Sequence, residues 1–132
     1  MLISHLHFCG DCEAAIALYE KAFDTKVDEI VRACDYDPEK QAGNRQISHA
    51  NMKIHGQTVF LNDRVDFCNK NKSPDGAAHL IVQFQSVEEL LACYEHFKES
   101  NTIIDPFVQT FYSALVGNFI DDFGVLWGFM AA

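Results

Sequence analysis

The same order of predicted elements occurs twice in this 132-residue chain. In each half, a strand of alternating polar and apolar residues leads through a turn into an amphipathic helix, and three further strands follow. His5-Leu6 and His79-Leu80 open the two halves, and Tyr19-Glu20 and Tyr94-Glu95 recur in the two helices. Because each half buries only one face of its sheet, the repeat predicts an α+β fold of two tandem βαβββ modules within one domain.

The first module is predicted over about residues 1–65. Asp11 follows the opening strand and is the expected N-cap of a helix over residues 13–23. A strand is expected over residues 27–34, and a polar loop follows it. The alternating residues 47–63 then predict a hairpin with one wet face and one dry face.

The second module is predicted over about residues 77–132, after a polar linker. Ser86 and Glu89 have the spacing of a capping box, which marks the start of a helix. The expected buried stripe of this helix comprises Leu90, Leu91, Tyr94 and Phe97. A closing pair of strands is expected over residues 110–121 and 125–132, with Asp121 and Asp122 serving the turn between them.

Charge and hydropathy exclude several classes of partner. Acidic residues outnumber Lys and Arg by 19 to 10, so the net charge is −9, whereas a nucleic-acid-binding protein needs basic residues to neutralise phosphates. No apolar run approaches the roughly 20 residues of a membrane span, and the first eight residues do not resemble a signal peptide. We therefore expect a cytoplasmic protein with no nucleic-acid partner and no membrane association.

The five cysteines are expected to be reduced thiols, as is usual in a cytoplasm. Cys9 and Cys12 form a C-G-D-C run, which also occurs in redox-active disulfide sites. The favoured interpretation is that both are small buried thiols at a turn between strand and helix. A zinc site would need a second Cys or His pair at ligand spacing, and none follows in the sequence.

The histidines point to a candidate site. Strand alternation puts His5 and His7, and in the second module His79, on the sheet face opposite the residues that pack under the helix. The same alternation puts His49 on such a face. If the two sheets curve around a shared cleft, these imidazoles line it, where they can bind a metal, form hydrogen bonds or move a proton. His55 and His96 are expected to be solvated surface residues.

Several segments resemble PhnB-like proteins of the vicinal oxygen chelate superfamily, which includes glyoxalases, ring-cleaving dioxygenases, fosfomycin-resistance enzymes and bleomycin-resistance proteins. They are residues 10–23, the H-A-x-M-x-I-x-G stretch over residues 49–56, and residues 110–129 with their F-x-D-x-F-G-V-x-W-x-F run. The resemblance covers nearly the whole chain. It implies a glyoxalase-like fold, in which paired βαβββ modules form an open barrel around a cleft, and a homodimer.

In metal-dependent members of that superfamily, ligands come from the opening strand of each module and from a Glu on a closing strand. His5 and His79 occupy the opening-strand positions, but the closing strands contain no such carboxylate. Two neutral imidazoles alone lack the anionic ligand that a hard divalent ion requires. We therefore predict no metal site, unless His49 or Asp63 completes one.

The resemblance and the histidine pattern together predict a small-molecule site. Its expected lining is His5, His49, His79, Phe111 and Trp127. Three alternatives stay open: an enzyme of the lyase, isomerase or oxygenase type, a non-catalytic binder that sequesters a drug, and an interaction module with a vestigial cleft. Methyl transfer, a label carried by some PhnB-like proteins, has no support, because the glycine-rich nucleotide-binding loop is absent from the sequence.

Overall fold

A computed structural model of the chain describes residues 1–64 and 78–132. The chain divides into two units, Met1–Lys70 and Asn71–Ala132, which correspond to one module each. Nearly all of the predicted polar linker, with Cys68 and the Asn69–Lys72 run, lies outside the described residues. In the part of the chain that is described, no helix is both long enough and apolar enough to cross a membrane.

The first module contains four strands and two helices. They are β1 (Ser4–Phe8), α1 (Cys12–Ala22), β2 (Val27–Arg32), α2 (Ala33–Tyr36), β3 (Ile47–Ile54) and β4 (Gln57–Asp63). The strands form one sheet in the order β1-β4-β3-β2, in which β1 and β4 are parallel and the other neighbours are antiparallel. The sequence did not predict α2, and the strand expected over residues 27–34 ends at Arg32 because α2 begins there.

The second module repeats this arrangement. Its elements are β5 (Leu80–Phe84), α3 (Val87–Tyr94), β6 (Asn101–Val108), β7 (Leu115–Asp121) and β8 (Leu126–Ala131). The strand order is β5-β8-β7-β6, again with one parallel pair at the opening strand. The predicted α+β fold of two βαβββ modules is therefore confirmed.

Strand alternation separates a dry face from a wet face in the first module. Phe8 is buried against Tyr19 of α1, with 6.5 Å between the ring centroids. Ala50, Met52 and Leu61 lie on the same face and are fully buried. The apolar side chains under the helix thus form the core, and the intervening residues of β1, β3 and β4 are left on the opposite face.

The start of α1 depends on a carboxylate from a distant strand. Asp11 occupies the N-cap position as predicted, but its side chain accepts a hydrogen bond from the backbone N–H of Cys9 at 3.2 Å. Asp63 of β4 accepts from the backbone N–H groups of Gly10 and Cys12 with one oxygen, at 2.9 and 3.0 Å. Its second oxygen accepts from the N–H of Ile47 at 2.9 Å. The predicted capping role of the Asp11 side chain is therefore wrong, and Asp63 performs it.

The hairpin between β3 and β4 closes through a two-residue turn. Both His55 and Gly56 adopt positive φ angles, 50° and 77°. Two consecutive positive φ values match the turn type that fits the right-handed twist of paired strands. Gln57, expected in the turn, is the first residue of β4.

The core of the second module is built from aromatic rings beneath α3. Phe97, Phe119, Trp127 and Phe129 are all buried, and their ring centroids lie 4.9 to 6.1 Å apart. Ser86 caps α3 as predicted, since its hydroxyl accepts from the backbone N–H of Glu89 at 3.1 Å. Leu91, expected in the buried stripe, is instead 48% exposed, because the helix turns that position to solvent.

Asp121 organises the turn between β7 and β8. Its carboxylate is 2% exposed, and one oxygen accepts from the backbone N–H groups of Phe123 and Val125 at 2.9 and 3.0 Å. The other oxygen accepts from the indole N–H of Trp127 at 2.9 Å. The predicted role of Asp121 in the turn is confirmed, and the same carboxylate also fixes the buried indole.

Candidate functional site

The face of the first sheet that points away from α1 carries a cluster of histidine and carboxamide side chains. We call this cluster the histidine face; it comprises His5, His7, His49, Asn51, Phe60 and Asn62. Strand register brings it together, because His5 and His7 of β1 lie beside Phe60 and Asn62 of β4, and Asn51 of β3 lies on the other side of Phe60. His5 and His7 are exposed and His49 is half-buried.

Phe60 lies between the imidazoles of two different strands. Its ring meets the ring of His5 edge-on at a centroid distance of 5.9 Å and that of His49 at 4.9 Å. The rings of His5 and His7 are 4.4 Å apart. The three imidazoles and the phenyl ring therefore form one continuous patch of ring surface on the sheet.

The carboxamides orient two of the imidazoles. Nδ1 of His7 lies 2.7 Å from Oδ1 of Asn62. Since a carboxamide oxygen only accepts, Nδ1 of His7 carries the proton and donates it. Asn51 places its amide nitrogen 3.5 Å from Nε2 of His49, a longer contact in which the amide donates. The histidine face is thus partly ordered by its own hydrogen bonds.

The pKa of His5 is lowered from the ordinary value of 6.5. Partial burial of the ring is the largest cause, and the positive charges of His7, His49 and Arg64 add to it, in that order. Arg64 directly follows β4, and its backbone N–H donates to the carbonyl of Phe8 at 2.7 Å. His5 is therefore a neutral imidazole at pH 7, able to accept a proton.

We expect an NMR titration of the imidazole Cε1–H signals to give His5 a midpoint below 6.5. The His7→Gln variant should move that midpoint upward, because one of the neighbouring positive charges is removed. Because the pKa is lowered in the folded chain, protonation of His5 favours unfolding, so this residue reduces stability as the pH falls below 6.5. A His5 midpoint at or above 6.5 would contradict the cationic surroundings.

In the second module, His79 lies immediately before β5, beside Gly128 of β8. A Cβ atom added at Gly128 would come within 3.1 Å of the His79 ring and 2.7 Å of Oδ1 of Asn118. The amide of Asn118 donates to Asp105 of β6 at 2.8 Å. His79 is exposed, as the alternation predicts. Its polar neighbour is the carboxamide of Asn118, and no second imidazole lies beside it among residues 78–132.

Two aromatic residues of the predicted lining do not lie on the sheet face that carries His79. Trp127 is 1% exposed, packs against Phe97 and Phe129 beneath α3, and so belongs to the core rather than to the face that carries His79. Phe111 is fully exposed in the connection before β7, because that strand begins at Leu115 and not at residue 110. Its ring contacts Tyr112 at 5.2 Å.

The cysteines differ from the expectation of five reduced thiols. Cys9 is exposed and takes part in a disulfide, so its predicted burial as a free thiol is wrong. Cys12 is buried and free, and burial, followed by the charge of Asp63, raises its pKa to about 12. Such a thiol stays protonated at neutral pH and is a poor redox nucleophile. His55 and His96 are exposed, as predicted.

The residues at the expected metal positions do not fit a divalent ion. The residue paired with His5 on the closing strand is Phe60, and the residue beside His79 is Gly128. Asp63 directs both carboxylate oxygens to backbone N–H groups at the start of α1 and β3. Across residues 1–64 and 78–132, no group of three or more His, Cys, Asp or Glu is placed to hold a metal ion.

Sequence reasoning missed three residues of this region. Phe60 and Asn62 belong to the histidine face, and Arg64 lies beside it. The signal was present, because Phe60 and Asn62 alternate on β4 with the buried Val59 and Leu61, and Arg64 continues the alternation directly after the strand. His7 and Asn62 are 55 positions apart in the sequence, and the parallel pairing of β1 with β4 brings them together.

Two βαβββ modules, each with its opening strand parallel to its closing strand, define a glyoxalase-like fold. The model of the Glyoxalase/Bleomycin resistance protein/Dioxygenase superfamily matches residues 2–129, so the chain belongs to this family. Protein YjdN of Escherichia coli (strain K12) is 25% identical over 137 residues, which cover 96% of this chain and 91% of that protein.

Solved structures agree with this assignment. The putative 3-demethylubiquinone-9 3-methyltransferase, PhnB protein, from Bacillus cereus is 25% identical with a TM-score of 0.81, and the match covers 99% of this chain and 98% of that one. Protein PA1353 from Pseudomonas aeruginosa is 21% identical with a TM-score of 0.83, over 99% of this chain and 96% of that one. The chain is thus PhnB-like within its superfamily.

Proposed function

We propose that this chain binds a small organic molecule at the histidine face of its first module. The observation that carries the proposal is the grouping of His5, His7 and His49 around Phe60 on an exposed sheet surface. Ligand sites combine apolar or aromatic surface with a few oriented polar groups, and this face has both. A ligand can pack on the rings while the imidazoles donate or accept hydrogen bonds.

The core does not require these side chains. Residues that stabilise the module, such as Phe8, Met52 and Leu61, occupy the alternate positions and point under the helix. A solvated sheet face normally carries charged or β-branched residues, so a cluster of three imidazoles and two carboxamides there needs another explanation. Recognition of a ligand supplies one.

Three further proposals concern the whole chain. A cleft shared by both modules, with His79 and Phe111 contributing to it, stays a prediction, and Trp127 is left out because of its burial. A homodimer is proposed on the resemblance to the superfamily. A cytoplasmic location stays a prediction: the free thiols of Cys12, Cys34 and Cys93 agree with it, whereas the disulfide at Cys9 does not.

Proton-transfer catalysis of the lyase or isomerase type is the second candidate function. The specific observation is the lowered pKa of His5, caused first by burial and then by the neighbouring cationic groups. An imidazole that is neutral at pH 7 can act as a general base if a bound substrate brings a proton within hydrogen-bond distance. Binding at the histidine face is required in both cases, so it is tested first.

A fragment library of neutral, anionic and cationic compounds, observed by NMR, tests the proposal. We expect the bound fragments to shift the imidazole signals of His5 and His49. Replacing His49 by alanine removes both a hydrogen-bonding group and a ring contact with Phe60, so it should weaken binding roughly tenfold. The matched control is His96→Ala, which removes an exposed histidine of the second module and should leave binding unchanged.

The location of the shifts decides the outcome. Fragments that perturb only amides outside the histidine face, or that bind the His49→Ala variant as well as the parent chain, would overturn the proposal. Thermal melting of the variant, compared with the parent, establishes that the chain still folds. Because His49 is half-buried and outside the apolar core, we expect its removal to leave most of the stability in place.

A further inference from the structure

We infer that the ligand of the histidine face is a small organic anion, a carboxylate or a phosphate monoester, whose charged group lies among His5, His7 and His49. This inference rests on the proposed binding function and adds the chemical class of the ligand.

The charges around His5 have one sign although the whole chain is acidic. The net charge of the protein is −9. Yet, among the described residues, the charged groups that act on His5 are His7 of the same strand, His49 of β3 and Arg64 after β4, and all of them are cationic or become so on protonation. When these imidazoles are protonated, the positive charge around His5 attracts anions despite the opposite overall charge.

Hydrogen-bond donors accompany these charges. Asn62 uses its carboxamide oxygen to accept from Nδ1 of His7, which leaves the amide N–H groups of Asn62 as donors on the same face. Each imidazole gains a second N–H when it is protonated, and protonated imidazoles form strong, charge-assisted hydrogen bonds to carboxylate and phosphate oxygens. The face therefore becomes richer in donors when it holds an anion.

Asp63 of β4 is the acidic residue of the sheet nearest to β1, and its carboxylate accepts from the backbone N–H groups of Gly10, Cys12 and Ile47. Two other acidic residues lie at the far side of the sheet. Asp28 and Glu29 belong to β2, which is separated from β1 by β4 and β3. Asp28 pairs with Lys53, with 3.4 Å between its Oδ2 and Nζ. Glu29 is exposed and lies beside Asn51 in the strand register, so it is the carboxylate that opposes an anion bound near His5.

Four phenyl compounds of similar size separate the effect of charge from that of shape. Benzoate and phenyl phosphate are anions, benzamide is neutral, and benzylamine is a cation at pH 6. We expect NMR titration at low chloride to show both anions binding at least tenfold more tightly than benzamide. A preference for phenyl phosphate over benzoate would identify a phosphate site, and the reverse preference a carboxylate site.

The pH dependence gives an independent readout. Benzoate stays ionised between pH 5.5 and 7.5, whereas His5 gains a proton as the pH falls below 6.5. The affinity for benzoate should therefore rise roughly fivefold as the pH falls from 7.5 to 5.5, since a proton taken up on the histidine face strengthens the attraction. The groups that face His5 and enter this effect are His7, His49 and Arg64, with Glu29 as the opposing acid.

Variants test the assignment without disturbing the core. Glu29→Gln removes the opposing charge at an exposed position and should tighten benzoate binding about threefold. Arg64→Gln should weaken it by a similar factor. Lys98→Gln, which removes an exposed cation of the second module that pairs with Glu95, is the matched control and should have no effect.

Equal or tighter binding of benzamide or benzylamine at the histidine face would overturn the anion inference and leave the proposed binding function standing. Failure of both anions to bind would overturn the inference as well, and neutral fragments bound at His5 and His49 would then still support the proposed function. Benzoate affinity that is independent of pH and unchanged in both Glu29→Gln and Arg64→Gln would place its binding elsewhere and would also overturn the inference.

Discussion

Replacing Asp121 by alanine should lower the free energy of unfolding by about 3 kcal/mol. The variant leaves two backbone N–H groups, of Phe123 and Val125, and the indole N–H of Trp127 without their acceptor. The site is almost fully buried, so water cannot replace the lost carboxylate without opening the turn. Urea unfolding followed by far-UV circular dichroism measures the loss.

Two further variants separate the causes. Asp122→Ala changes an exposed carboxylate of the same turn and should alter stability by less than about 0.5 kcal/mol. Asp121→Asn keeps one acceptor oxygen, so its loss of stability should lie between those of Asp121→Ala and Asp122→Ala. Fluorescence of Trp127, the single tryptophan of the chain, reports on the indole contact directly. A loss in Asp121→Ala no larger than that in Asp122→Ala would show that the buried bonds contribute little.

Asp63→Ala should be nearly as damaging, at about 2 to 3 kcal/mol, although no signature in the surrounding sequence suggests it. The carboxylate holds the N–H groups of Gly10 and Cys12 at the start of α1 and the N–H of Ile47 at the start of β3. Its removal therefore weakens a helix terminus and the junction of two strands together. Urea unfolding again provides the measurement.

Asp11→Ala is the informative comparison, because sequence reasoning assigns the capping role to that residue. Among the described residues, its side chain accepts one hydrogen bond, of 3.2 Å, from the backbone N–H of Cys9, so we expect a loss below about 1 kcal/mol. If Asp11→Ala were the more destabilising of the two variants, the assignment of the cap to Asp63 would be wrong.

The architecture was predictable because hydrophobic alternation is a local property. The period of two in β1, β3 and β5 and the helical spacing in α1 are visible in short windows, and the repeat fixes their order. The helix α2, with only four residues, is too short to leave a periodic signal. The capping by Asp63 was hidden for another reason, since its partner Cys12 is 51 positions away.

The site was predictable only in part. Alternation placed His5 and His49 on solvated sheet faces, and the structure joins them through Phe60. Trp127 was expected to line the site, but it pairs with Leu80, shares the helix-side face with Phe129 and is buried. Phe111 lies in the connection before β7 rather than in a strand, because strand ends are the least certain part of such predictions, and its contribution to a site stays a prediction.

The two modules share a backbone pattern but not the residues exposed on it. Where the first module pairs His7 with Asn62, the second pairs Ile81 with Gly128 at the corresponding register. All four lie opposite the helix-side core, but a side chain at Gly128 would come within 2.7 Å of Oδ1 of Asn118, so the second module accepts Asn62's counterpart only if that carboxamide moves. One backbone pattern thus presents ring and carboxamide groups in the first copy and a glycine in the second, and function on such a scaffold resides in the residues placed on it.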